Sequence, residues 1–272
     1  MRRIYLDYNA TTPLAPSVME AMEPFLHSYY GNPSSSHWMG RAAAEGIADA
    51  RGQLSNLLGC DSDEIVFTGG GTEANNLAIK GVLFREPPTS GAHLVISGME
   101  HPAVSEPAAF MQRLGYRVTI VPPDANGIVT PESIERALER KTRLVSVMHA
   151  NNEIGTIQPI REIAEICHSR AVLIHTDAAQ TVGKIPTMAH QMDVDLLTVA
   201  AHKFYGPKGV GALYVRDGLD LMPTNHGGDQ EHGLRGGTEN TAGIVGLGLL
   251  RCCVIRRWTK PPSGWLFCVM IC

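Results

Sequence analysis

Short apolar runs bounded by turn residues recur along this chain at 64–67, 93–96, 117–121, 144–148, 172–175, 196–199 and 212–215. Most are separated by segments of helical character, at 73–84, 103–114, 131–140 and 160–168. Upstream, Ala43, Ile47, Ala50, Leu54 and Leu57 recur at steps of three and four, so one face of a helix looks inward. Strands alternating with helices predict an α/β fold with a mostly parallel, doubly wound sheet of about seven strands. In such sheets ligands sit at the carboxyl ends of the strands.

Charge and composition narrow the function classes. A net charge of -4 supplies no global field to hold nucleic acid. No apolar run approaches the roughly 18–20 residues of a membrane span, and the opening MRRIYLDYNA turns polar before a signal-peptide core could form. Only Cys60 and Cys167 precede Cys252, Cys253, Cys268 and Cys272. So few cysteines in the body fit a reducing compartment, and the chain reads as cytoplasmic. The segment from Leu250 onward differs: it carries Arg251, Arg256, Arg257 and Lys260 with no acidic residue, has no clear period, and does not read as a continuation of the helix that 241–249 begins. Its cysteines lack a C-x-x-C pair and a nearby His, so no metal site is expected.

Six segments carry polar chemistry at or near strand ends. In IVFTGGGTEANNLAIKG (65–81) an apolar strand runs into Gly69, Gly70 and Gly71, and Thr72 and Glu73 open a helix. This is either a helix cap or a phosphate site built on helix N–H groups. VISGMEHPAV places Glu100 and His101 after a strand, VSVMHANNEIGTIQPI places Asn151, Asn152 and Glu153, and VLIHTDAAQTVGK delivers Asp177 with Gln180 beyond it. Asparagine runs are common in turns. A carboxylate ending an apolar strand needs a partner. DLLTVAAHKFYGPKGVGALYV ends a buried run on His202 and Lys203, and Lys203 reads either as a snorkelling surface lysine or as a Schiff-base amine. HGGDQEHGLRGGTEN (226–240) is a polar, Gly-rich loop with Arg235 and Thr238. A phosphate cradle, an imidazole, a buried Asp, a Gln and a lysine at the ends of one sheet are what pyridoxal 5'-phosphate requires.

The motifs LDYNATTP, GGTEANNLAIKG, MEHPAV, HANNEIGTIQPI, HTDAAQTVGK, AHKFYGPKGVGALYVR and HGGDQEHGLRGGTEN, in this order over about residues 3–249, resemble the cysteine desulfurases of the NifS/IscS type. These lie in the class V aminotransferase group of pyridoxal-phosphate (PLP) enzymes of fold type I, which also holds selenocysteine lyase. The resemblance implies that Lys203 carries the cofactor as a Schiff base and moves protons at the substrate Cα. It implies that His101 stacks on the ring, Asp177 pairs with the ring nitrogen, and Gln180 bonds the phenolate oxygen. Asn152 would lie beside the cofactor and the substrate carboxylate, and Gly71, Thr72 and His202 would bind the phosphate. Thr238 would reach the phosphate of a neighbouring subunit in a homodimer. The implied reaction turns L-cysteine into L-alanine and leaves a protein-bound persulfide for iron-sulfur or other cofactor synthesis, with a sulfur-acceptor or scaffold protein as a partner.

Two departures accompany the likeness. Ala200 stands where many relatives have a phosphate-binding Ser. Relatives also continue into a small C-terminal domain with the sulfur-accepting cysteine, so the chain reads as C-terminally truncated and is expected to bind PLP weakly or to be inactive. The expected organisation is an N-terminal arm (1–15), a PLP-binding large domain (16–249) and an anomalous Cys- and Trp-rich tail (250–272) that looks translated out of frame. Loss of the small domain is expected to leave an apolar face exposed, including the helix at 241–249. Selenocysteine lyase, or a non-catalytic homologue acting as a partner in sulfur delivery, are the alternative functions.

Overall fold

The computed structural model describes residues 3–259, with 251–259 as backbone only. Lys260, Cys268 and Cys272, on which part of the tail reading rests, lie outside the described residues with the rest of 260–272. In chain order the elements are α1 (Pro16–His27), α2 (Trp38–Leu58), β1 (Ile65–Thr68), α3 (Gly71–Leu83), β2 (His93–Ser97), α4 (Pro102–Arg113), β3 (Arg117–Val121), α5 (Pro131–Ala137), β4 (Thr142–Ser146), α6 (Ile160–Ser169), β5 (Leu173–Asp177), α7 (Ala189–Met192), β6 (Leu196–Ala200), β7 (Gly211–Val215) and α8 (Thr241–Thr259). Each expected strand is present, shifted by a residue or two at most. The expected helix at 131–140 stops at Ala137, because Leu138 turns extended (φ -69°, ψ 136°) to lead into β4.

The strands form one sheet in the order β1-β7-β6-β5-β4-β2-β3. Strands β1 and β6 both pair antiparallel with β7, whereas β6, β5, β4, β2 and β3 pair parallel in sequence across the sheet. Six strands therefore point one way and β7 alone opposes them. Side chains alternate between two cores. Phe67, Val95, Val145, Ile174 and Leu197 face one side with α2, α6 and α8, while Val66, Leu94, Leu144, Leu196 and Leu213 face the other with α3 and α4.

The sequence reading of the C-terminal segment needs two corrections. Helix α8 does not end at 249 but runs to Thr259. The first strong helix breaker after Leu250 is Pro261, and Cys, Val, Ile and Arg are all compatible with a helix. Nor is 241–249 left bare: Ala242, Ile244, Leu247 and Leu250 are buried. The helix lies against α1 and α2, where Gly248 lets it approach the Ala50 backbone; an added Cβ would come within 2.5 Å of Ala50 Cα.

The Gly-rich loop at 226–240 is tied to the sheet by a buried ion pair. Arg51 donates to both carboxylate oxygens of Glu231 (2.7 and 3.0 Å), and Glu231 also accepts from Phe67 N at 2.7 Å. Glu231 is 1% exposed and Arg51 15%, with the guanidinium 4.8 Å from the Phe67 ring centroid. Removing one partner strands a buried charge. Glu231→Ala is expected to destabilise the fold by about 3 kcal/mol and lower the melting temperature by roughly 6–12 °C. Calorimetry checks this, and an unchanged melting temperature would show that the pair contributes nothing net.

Candidate functional site

Because six strands share a direction, the segments that follow β1, β2, β4, β5 and β6 arrive at one edge of the sheet. The chain leaves β2 toward β3 on one side and β4 toward β5 on the other, which opens a crevice between them. A cavity of about 180 Å³ lies there. Eight of the nine expected site residues line it: Gly71, Thr72, His101, Asn152, Asp177, Gln180, His202 and Lys203. Thr238 does not join them; it is exposed and lines a separate hollow with Glu231 and Arg235.

Asp177 closes β5 and is 6% exposed. One carboxylate oxygen accepts from Asn75 Nδ2 at 2.7 Å and the other from Ala179 N at 2.9 Å. Burial still pushes its carboxyl above the usual range, against those two hydrogen bonds and the nearby His101 and Lys203. Lys203 follows β6 and is half-buried, with Nζ donating to Asn9 O (2.8 Å) and Ala10 O (2.9 Å). Desolvation holds its ammonium below the ordinary lysine value, although Asp177 and Asp7 oppose the shift. His202 lies beside it, Nδ1 3.2 Å from Thr11 Oγ1, and burial with Lys203 and Lys208 nearby keeps its imidazole below the usual pKa. The partly dry site therefore favours neutral groups; the lysines add to this at His202, and Lys203 opposes it at Asp177.

The third wall is the start of α3. Gly70 is its N-cap with φ +148°, a backbone conformation that a side chain would strain. Gly211 on β7 packs against it: a Cβ there would meet Gly70 C at 2.8 Å and Val199 O at 2.5 Å. The loop is thereby held so that the first N–H groups of a 13-residue helix open on the cavity and on a wider hollow of about 770 Å³ beside it, flanked by Lys80 and Lys208. Glu73 braces the loop from inside, accepting from Gly69 N (2.7 Å), Arg235 (2.9 Å) and Asn225 (3.0 Å). His101 is exposed as the N-cap of α4, its ring accepting from Ala103 N at 3.0 Å. Of the asparagine pair, Asn151 builds the turn, accepting from Glu153 N and Ile154 N, and Asn152 faces the cavity. The turn reading suits both: Asn151 caps the turn and Asn152 is its first residue.

Sequence reasoning gave no role to four contributors. Asn75 is a polar residue on the otherwise apolar inner face of α3, and that mismatch was a legible signal. Asn9, from the N-terminal segment, accepts from both Lys203 and Gln180. Lys184 donates to Gln180 Oε1 at 2.6 Å. The carboxylate of Glu100 is buried, accepting from Ser97 Oγ (2.6 Å) and Met148 N (2.7 Å), and desolvation pushes it up to about 8. Asn9 and Glu100 act through partners distant in the chain, and Lys184 through a Gln180 four residues away that only the turns of 178–184 bring alongside it. Among the described residues no group of three or more His, Cys, Asp or Glu could hold a metal ion.

A sequence model of the aminotransferase class-V family matches residues 4–253. The cysteine desulfurase IscS of Dictyoglomus turgidum is 53% identical over 247 residues, covering 91% of this chain and 62% of that protein. The cysteine desulfurase IscS of Clostridium botulinum (strain Hall) is 46% identical with the same coverage. Among solved structures, SspA in complex with cysteine superposes with a TM-score of 0.89 at 42% identity, covering 92% of this chain and 72% of the other. A NifS-like protein does so with a TM-score of 0.91 at 40% identity, covering 95% and 71%. The chain spans about 62% of the length of the curated relatives it matches.

Proposed function

The chain belongs to the aminotransferase class-V family, and on that premise we propose that it is a PLP-dependent cysteine desulfurase. Enzymes of this family use pyridoxal 5'-phosphate, and the sheet has the architecture of their fold-type-I large domain. The donor set suits that cofactor. Asp177 is a buried carboxylate whose hydrogen-bond donors, Asn75 and the Ala179 amide, are both neutral, so a cationic ring nitrogen would supply the missing charge. The open start of α3, with Gly71, Thr72 and His202, suits the phosphate. When bound, the cofactor supplies an electron sink that acidifies the substrate Cα–H and loosens the Cβ–S bond.

In this reading Lys203 would hold the cofactor and carry the proton moved at the substrate Cα, His101 would cover the ring, Gln180 would donate to its phenolate oxygen, and Asn152 would orient the substrate carboxylate. The balanced reaction is L-cysteine plus a thiol giving L-alanine plus a persulfide: the C–S bond breaks, an S–S bond forms, and carbon is reduced as sulfur is oxidised. Of the cysteines whose side chains the structure describes, Cys60 and Cys167, neither suits the accepting role. Burial pushes the thiols of Cys60 and Cys167 up to about 12, and neither lines the cavity. The reading includes a homodimer, supported by exposed Thr238 standing outside its own cavity, where it can reach a neighbour's phosphate. It also includes an acceptor or scaffold protein for the sulfur and a cytoplasmic setting, which suits two free thiols. Among the described residues no helix is long and apolar enough to cross a membrane.

The observation that carries the proposal is the meeting of Lys203, Asp177 and the α3 N-terminus around one cavity. The test adds PLP, L-cysteine and dithiothreitol, a soluble sulfur acceptor, to the purified chain and measures alanine and sulfide in equal amounts. Faster turnover of L-selenocysteine would move the assignment to selenocysteine lyase. A lysine-linked cofactor band without alanine from either substrate would remove the substrate assignment and keep the cofactor.

A further inference from the structure

Gln180 sits between two groups that demand opposite ends of its amide. Lys184 Nζ lies 2.6 Å from its Oε1, and Asn9 O lies 3.0 Å from its Nε2. An ammonium only donates and a carbonyl only accepts, so both contacts select the same one of the two amide orientations. One Nε2 hydrogen is used on Asn9, and the second is available to the cavity that Gln180 lines.

The local backbone holds this arrangement. Hydrogen bonds Thr181 N to Ala178 O, Val182 N to Ala178 O and Lys184 N to Thr181 O wind residues 178–184 into consecutive turns. Residues 180 and 184 thus share a side, as at i and i+4 of a helix. Val182 is fully buried, and Gly183 (φ +78°) packs so close to Phe204 that an added Cβ would lie 2.6 Å from its ring. The lysine is half-buried, and desolvation with Lys203 nearby pushes its ammonium down to about 8, which still leaves it charged at neutral pH. A solvated surface lysine would need neither the burial nor the short contact.

We propose that Lys184 is a positioning residue that fixes the polarity of the Gln180 amide, so that Gln180 presents an N–H to the cofactor's phenolate oxygen. This deepens the cofactor reading above and rests on it. With the cofactor bound, a donor at that oxygen would stabilise its deprotonated form, so a proton held between it and the nitrogen of Lys203 would leave more easily. Without Lys184 the amide loses one of its two constraints, its Oε1 loses its partner, and the proton is held more tightly.

The test titrates with pH the absorbance of the lysine-linked cofactor in the PLP-loaded full chain. In Lys184→Met the midpoint is expected to rise by about one pH unit, the shift that weakening a hydrogen bond to an ionised oxygen produces. Lys184→Arg, also a pure donor, should restore the wild-type midpoint. In a Gln180→Ala background Lys184→Met should add no further shift. An unchanged midpoint in Lys184→Met overturns the proposal, and so does an equal shift with and without Gln180, which would mark a direct charge effect. If the Met variant fails to fold, Lys184→Gln, which can donate or accept, is expected to give a smaller rise in the same direction, and no rise there counts against the proposal. A wild-type protein lacking any Lys203-dependent band would instead defeat the cofactor reading itself, and this inference with it.

Discussion

Lys203→Ala is expected to erase the lysine-linked cofactor band and, in the assay where dithiothreitol serves as sulfur acceptor, to lower alanine release by at least about 10⁴-fold. The size follows from the two tasks assigned to one amine, covalent attachment and proton transfer at Cα. The geometry leaves no substitute. Lys184 is held behind Gln180 by its 2.6 Å hydrogen bond, and Lys208 lines the outer hollow instead of the inner cavity. The variant should fold, because among the described residues the Lys203 side chain makes two hydrogen bonds, both to carbonyls of the N-terminal segment. Borohydride reduction followed by peptide mass analysis should tag Lys203 in the wild type. A tag on another lysine, or a band that survives in the alanine variant, would end the assignment. The depressed pKa of Lys203 adds a pH signature. Its neutral, reactive amine is present at lower pH than for an ordinary lysine, so cofactor capture should reach half its maximal rate below pH 10.5 and fall as the pH drops further.

Asp177→Asn is expected to weaken PLP binding about 100-fold while leaving the fold intact. The carboxylate is buried, so its charge is an asset only against a cation, and an amide of the same shape cannot supply it. The environment can absorb the swap. The variant's amide oxygen can still accept from Ala179 N, and Asn75 Oδ1, which is buried without a hydrogen-bond partner, can turn to accept from the new NH₂ group. An unaltered melting temperature with weakened cofactor binding separates the electrostatic role from a structural one. Wild-type affinity measured by spectrophotometric titration would show that the ring nitrogen does not face Asp177.

Much of the site was legible because each of its residues follows a strand whose apolar run is visible in the sequence. Asp177, His202 and Lys203 stand where β5 and β6 end, and Gly71 and Thr72 where α3 begins after β1. Glu100, Lys184 and Asn9 were not legible. Their roles arise from hydrogen bonds to Met148, Gln180 and Lys203; Glu100 could be placed after a strand and Lys184 lies four residues from Gln180, but no sequence pattern told which partner each would meet. The course of α8 beyond 249 was also misread, since a sparse apolar period there hid a stretch without helix breakers.

From its order of residues alone this chain determined which segments are strands, which are helices, and which polar residues stand at their junctions. Those are local properties, set by side-chain periods of two and 3.6 residues and by the turn chemistry of glycine and asparagine. Tertiary structure alone decided that β7 runs against its neighbours, that Asn75 meets Asp177, and that the N-terminal segment returns its Asn9 carbonyl to Lys203. Such pairings depend on which buried donors and acceptors find each other once the sheet closes, and their partners lie too far along the chain for any local pattern to record them.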